Sequence, residues 1–221
     1  MIVRLQSARV WALGAALLVL APVLLAQTGA GGEATITFRK VFKSSYPEFV
    51  EIKVPENGAC TADIRQLSDD PSPQSFQLSP SVVQRIFELA GELHDFNGVN
   101  LEIHRRIANL GEKTFVYQNG PQVYQTTFNY STNPSAEQLA DLFDNLAREQ
   151  IDITDLQRTM RYDHLGVNDV LLRIEKDYDD KTIPDPSALL AALDQLAADN
   201  TFVDIARDRA RTLAGRIRTS R

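Results

Sequence analysis

Two Asn-Gly pairs, Asn57-Gly58 and Asn119-Gly120, each stand between runs of alternating apolar and polar residues. That is the strongest short-range signal for a β-hairpin, because Asn and Gly accept the positive φ of tight turns between twisted strands. Before the first pair, Val50, Ile52 and Val54 fall on one face of a strand, with Phe49, Glu51 and Lys53 on the other. After it, Ala59 to Leu67 places Cys60, Ala62 and Ile64 together. The second pair follows Glu112 to Gln118, and its return run carries Tyr124, Thr126, Phe128 and Tyr130 at period two.

Each hairpin leads into a helical pattern. Ser79 can cap the first helix and Pro80 suits its first position, with Val82, Ile86, Leu89 and Leu93 recurring at helical spacing. Asn133-Pro134 opens a second helix carrying Leu139, Leu142, Phe143 and Leu146. A β-branched and aromatic stretch, Thr35 to Phe42, precedes the first hairpin as a further strand. Ser68 to Pro73 reads as a polar loop ending the first unit, and Asp95 to Gly111 as a loop with an extended piece around Leu101 to Ile107.

The order hairpin, helix, hairpin, helix predicts an α+β fold with an antiparallel sheet. Each hairpin has one apolar face and each helix one apolar stripe, and both must be covered. Val50, Ile52, Val54, Cys60, Ile64, Ile86, Leu89, Leu93, Leu139, Phe143 and Leu146 are therefore expected in one core, with both helices on the same side of the sheet. The two units differ in the spacing from turn to helix, so they are a recurring architecture and not an internal repeat.

From Asp152 onward strand patterns vanish. Thr154 to Tyr162 reads as a helical piece broken near Gly166, Asn168 as the cap of the next, and Asp185-Pro186 as the start of a third. A last helix runs from Phe202 through Ile205 and Leu213 to Ile217. Leu189, Leu193, Leu196, Phe202, Ile205, Leu213 and Ile217 supply more apolar surface than a disordered tail carries, which predicts a packed, all-helical C-terminal extension. Six Arg crowd the final twenty residues (Arg207, Arg209, Arg211, Arg216, Arg218 and Arg221). They read as solvated charges favoured by the helix dipole, with an acidic docking partner as the alternative.

At the other end, Arg4 and Arg9 precede an apolar run from Val10 to Ala26, followed by Gln27-Thr28-Gly29-Ala30. A basic stretch, an apolar stretch and small residues describe a signal peptide, so the expected plan is 1–26 signal, 27–33 flexible spacer, 34–150 α+β domain and 151–221 helical extension. A secreted or periplasmic location follows, with an N-terminal membrane anchor as the alternative. Both basic residues of the removed part are Arg and none is acidic, so the net charge moves from −6 to −8. That balance argues against nucleic acid, or an anionic membrane surface once the signal is gone, as partners. Cys60 is the only cysteine, so no internal disulfide can form, and the residue reads as a small buried hydrophobe.

The patterns that carry chemistry are missing. His94, His104 and His164 have no zinc-ligand spacing, and no Gly-x-Ser-x-Gly, Walker or Gly-x-Gly-x-x-Gly motif occurs. Asp177-Tyr178-Asp179-Asp180 lacks the Gly and terminal Glu of a calcium loop, having Thr182 and Ala188 there. No catalytic residue, metal or cofactor is expected. His104-Arg105-Arg106 is the densest cationic spot outside the C-terminus and is the candidate contact for an anion or partner, since paired Arg suits bidentate recognition of carboxylates.

The Ile36-Thr37-Phe38 strand, the Glu48 to Val54 strand, the Gly58 turn, and Gln77-Leu78-Ser79 leading into Val82 to Leu93 resemble a family of small exported bacterial domains of unknown function. The likeness covers residues 34–148. Those domains carry a Cys-Phe-Gly-x-Cys-Pro-like element after the first strand, where this chain has Phe42-Lys43-Ser44-Ser45-Tyr46-Pro47. The chain is also similar to uncharacterised secreted proteins of soil bacteria with Arg-Lys-Val-Phe-Lys-Ser-Ser and Asn-Leu-Gly-Glu-Lys-Thr-Phe stretches. Neither resemblance implies an activity. A complete fold pattern without a catalytic constellation leads to the expectation of an exported, non-catalytic module binding an envelope or secreted protein. The alternatives are a secreted hydrolase using loop carboxylates with His94 or His104, and an inhibitor of a secreted enzyme.

Overall fold

The computed structural model describes residues 33–103 and 105–220. The expected signal peptide, and the spacer up to residue 32, lie outside the described residues. No helix among those described is long and apolar enough to cross a membrane.

Six antiparallel strands form one sheet: β1 (Thr35–Val41), β2 (Phe49–Pro55), β3 (Ala59–Arg65), β4 (Gln74–Gln77), β5 (Glu112–Asn119) and β6 (Gln122–Phe128), in the order β4-β3-β2-β1-β5-β6. Both expected hairpins are present, β2 with β3 and β5 with β6. β1 joins them, pairing Ile36 with Val54 on one side and with Tyr117 on the other. The Ser68–Pro73 loop does not end the first unit, because β4 adds a fourth strand beyond it, pairing Cys60 with Phe76.

Turn chemistry sets these registers. Gly58 has φ +75, and a Cβ there would lie 2.8 Å from Gln77 Nε2 and 3.0 Å from the Leu78 carbonyl oxygen, so only glycine fits. Asn57 Oδ1 accepts from the Ala59 N–H at 2.7 Å, closing the same turn. In the second hairpin Gly120 and Pro121 connect Asn119 to Gln122, with Gly120 at φ +56. Pro121 is held to negative φ by its ring, so the positive φ falls on the first turn position, as in a II′ turn.

Among the described residues are five α-helices, the first between β4 and β5 and the rest after β6: α1 (Pro80–Glu92), α2 (Pro134–Tyr162), α3 (Val167–Asp179), α4 (Leu190–Ala198) and α5 (Asp204–Thr219). Both α1 and α2 cover one face of the sheet. The core they enclose contains every apolar residue expected there, with Ile64 at its half-buried margin. Phe115 is its centre, with ring centroids 5.2–6.3 Å from Phe38, Phe96, Phe128 and Phe143. Phe38 stacks on Phe143 at 4.9 Å. Such pairs add about 0.5–1.5 kcal/mol each beyond the area they bury.

The helix ends differ from the sequence expectation in three places. Asn133 caps α2 as expected, accepting from Ser135 and Ala136 N–H, but the Ser79 side chain makes no cap bond. Its backbone N–H donates instead to Asp185 Oδ2 at 2.7 Å. Gly166 and not Asn168 precedes α3, and Asn168 Oδ1 accepts from Arg209 on α5. The Thr154–Tyr162 piece is no separate helix: α2 runs unbroken from Pro134 to Tyr162, through position 150.

That continuity matters because α2 carries two cores. Leu139, Phe143 and Leu146 belong to the sheet core, whereas Leu156 belongs to a second core with Val167, Leu171, Ile174, Leu189, Leu193, Leu196, Phe202, Leu213 and Ile217. The sheet plus helical extension is therefore established as the architecture. Ile205 alone among the apolar residues expected in the extension faces outward, 61% exposed. Alanines at 192, 206, 210 and 214 fill the second core, letting α4 and α5 approach closely. Each described arginine of the tail pairs with a carboxylate: Arg209 and Arg216 with Glu175, Arg216 also with Asp179, and Arg218 with Asp194 tie α5 to α3 and α4. Arg207 and Arg211 pair with Asp204 and Asp208 on α5 itself. These arginines are engaged within the extension.

Candidate functional site

The register Val41↔Glu112 brings the β1–β2 connection beside the segment that leads into β5. One end of the sheet thus gathers the 42–48, 97–111 and 129–133 connections. Gly111 sits against Phe42 there: with φ +92, a Cβ would lie 3.0 Å from the Phe42 Cβ. A cleft of about 740 Å³ between the two connections is lined by Lys43, Glu102, Ile107, Asn109, Glu112 and Asn129, among others.

The base of the long 97–111 segment is firmly pinned. Asn129 accepts from the Leu110 N–H at 2.7 Å and donates to the Ala108 carbonyl at 3.0 Å, while its own N–H goes to Glu102. Thr126 donates to the Val99 carbonyl at 2.9 Å, and Ile103 N–H to the Tyr130 carbonyl. Lys113, 8% exposed, donates to the carbonyls of Asn129 at 2.9 Å and Gly111 at 3.3 Å. Burial, then the nearby Lys40 charge, pushes the Lys113 ammonium below its ordinary range. Its carbonyl contacts make it a clamp on the loop base.

At the tip the picture reverses. Arg105 and Arg106 are exposed and make no ion pair among the described residues, and Ile107 is 39% exposed, while Leu110, at the base, leaves its side chain 44% exposed. His104 lies outside the described residues. On the 42–48 connection, Lys43 is exposed and lines this cleft, while Tyr46, which lines others, is 86% exposed, ahead of a cis Tyr46-Pro47 bond. Glu48 fixes this second loop, accepting from Ser44 N–H at 2.7 Å and Leu67 N–H at 3.2 Å. Tyr46 and Pro47 separate two further clefts, of about 390 and 420 Å³. The first is lined by Lys40, Asp144 and Arg148, and the second by Arg65, Asp69, Gln150 and Asp155. The arrangement offers cations without an ion pair among the described residues, and apolar side chains, on loops pinned at their bases.

Of the aromatic residues on the second hairpin, Phe128 is 3% exposed inside the core, and Tyr124 is half-buried against Tyr117. Cys60 is buried, which pushes its thiol up to about 12 and leaves no thiolate for chemistry. His94 is exposed and His164 lies tilted against Phe202, with ring centroids 4.5 Å apart; among the described residues neither bonds to a carboxylate.

Sequence reasoning found Arg105 and Arg106 but missed Lys43, which lines a cleft with Ile107, and Tyr46 on the same connection as Lys43. It also missed three buried carboxylates, Glu149, Asp152 and Asp185. The signal was present for two of these, because Glu149 and Asp152 follow Leu146 on the stretch of α2 that turns from one core to the other. No family model matches the chain, and no curated protein matches it in sequence.

Proposed function

We propose that this chain is an exported, non-catalytic binding module whose loop end docks a protein of the cell envelope or a secreted protein. The observation that carries this reading is the exposure of Arg105, Arg106, Ile107 and Leu110 on one connection and of Lys43 and Tyr46 on the other, with Lys43 and Ile107 lining one cleft. Guanidinium groups without internal partners suit carboxylates on another surface, and exposed aromatic and aliphatic neighbours supply the apolar contact such interfaces use. The partner that fits presents acidic and apolar side chains together. Loops clamped at their bases lose little freedom on binding, which favours recognition by a preformed surface.

A photo-crosslinking residue at Ile107, compared with one at Val123 on the opposite sheet end, tests this in envelope extracts. A discrete adduct from position 107, absent from position 123 and lost on Arg105→Glu with Arg106→Glu, supports the proposal. Equal labelling from both positions overturns it, as does retention of the adduct after charge reversal. Turnover of an envelope substrate by the purified protein would favour the hydrolase reading instead.

A further inference from the structure

The two cores meet at a buried polar junction built by Glu149 and Asp185. Glu149 is 2% exposed and Asp185 4%. Glu149 Oε2 accepts from the Asp185 N–H at 2.9 Å. The Asp185 carboxylate in turn accepts from Ser79 N–H at the start of α1, at 2.7 Å, and from the Ser187 hydroxyl. One chain of hydrogen bonds therefore links α2, α1 and the segment that opens the α4 region. Glu149 Oε1 has no partner among the described residues.

The charges facing this carboxyl are also acidic. Asp185 approaches it from the segment before α4 and Asp152 from α2 itself. Arg173 on α3 is committed to Asp152 at 2.7 Å and Asp155 at 2.9 Å, and Asp177 on α3 adds further negative charge to Asp152. No cation touches Glu149 among the described residues.

We propose that Glu149 is a proton-operated latch: with its carboxyl neutral, the Asp185 segment and the helices it leads into stay closed on α1 and α2, and with it ionised they open. An ionised carboxylate buried with one orphan oxygen between two acidic neighbours is costly, and opening to water relieves that cost. Burial first, and the Asp185 and Asp152 charges with it, push the Glu149 carboxyl up to about 8 against the one opposing backbone bond. Because the closed-state value is raised, closure is fully favoured below the ordinary 4.5 and is lost as pH rises through about 8. Between those values the closed-to-open ratio falls tenfold per pH unit, by the definition of the linked equilibrium.

Hydrogen exchange of the full chain at pH 6 and pH 9, corrected for intrinsic exchange, reads this directly. Peptides covering 79–85 and 185–198 should lose at least tenfold in protection at pH 9, with β1 and β5 unchanged, and Glu149→Gln should abolish the pH dependence. A wild-type profile flat between pH 6 and 9 overturns the latch, as does an unchanged profile in Glu149→Gln. Should that variant fail to fold, carboxyl ¹³C titration of the wild-type protein decides: a Glu149 midpoint near 8 upholds the latch and one near the ordinary 4.5 refutes it.

Discussion

The sheet core and the helical extension are stabilised in different ways, although α2 is common to both. Around Phe115, four phenylalanines from β1, β6, α2 and the 3-10 turn at His94–Phe96 interlock, and the β1–β5 ladder joins residues some seventy apart in sequence. The extension instead packs leucines among alanines, between helices adjacent in the chain, and ties its surface with arginine–carboxylate pairs. Large aromatic rings suit the wide gap between a sheet and two helices, whereas small residues suit close helix pairs. The lesson is that one continuous helix can couple a core of aromatic rings between sheet and helices to a core of leucines among alanines. Whether it does so cooperatively is open to experiment.

Cutting the chain after Gln150 tests that coupling most severely. The cut severs α2 inside a helix, removes Leu156 with the whole second core, and leaves Glu149 without its Asp185 partner. We expect the truncated protein to lose its soluble fold, scored by soluble yield and far-ultraviolet circular dichroism. A product as soluble and heat-resistant as the full chain would make the extension an independent appendage.

Phe115→Ala should be the most damaging single truncation in the sheet core, at about 3–5 kcal/mol, because the ring contacts four others and the cavity lies where two layers meet. Urea unfolding measures it. Leu193→Ala, fully buried in the second core, should cost about 2–5 kcal/mol, toward the lower end if the neighbouring helices relax into the space. The informative outcome is its reach: one transition followed by all amides means the cores fold together, and lost protection confined to α3–α5 means they do not. Arg216→Ala probes the ionic surface. Its pairs with Glu175 and Asp179 are half-exposed, so the loss should be at most about 1 kcal/mol and should shrink in high salt. A larger, salt-independent loss would locate its role in packing against Tyr178, 4.9 Å away.

Much of the fold was legible because the signals are local. Asn57-Gly58, Gly120, Pro80 and Asn133-Pro134 each act on their immediate neighbours, and apolar period distinguishes strand from helix before any tertiary contact exists. The candidate site was legible only in part. Arg105 and Arg106 stand out by charge, but the connection bearing Lys43 and Tyr46 reaches the same sheet end through a register some seventy residues long, Val41 against Glu112.

What the chain determined by itself is therefore the class of each element, the two hairpins, the apolar faces and the expectation that the helical part packs. The tertiary structure decided the rest. β1 lies between the hairpins and β4 extends the sheet, because strand pairing is settled by whichever faces share a core and not by sequence order. The tail arginines pair with Glu175, Asp179 and Asp194 because folding back α5 brings those carboxylates within reach. Glu149 is an ordinary glutamate in an isolated helix. Only the Asp185 segment, closing over it and excluding water, makes its proton part of the fold.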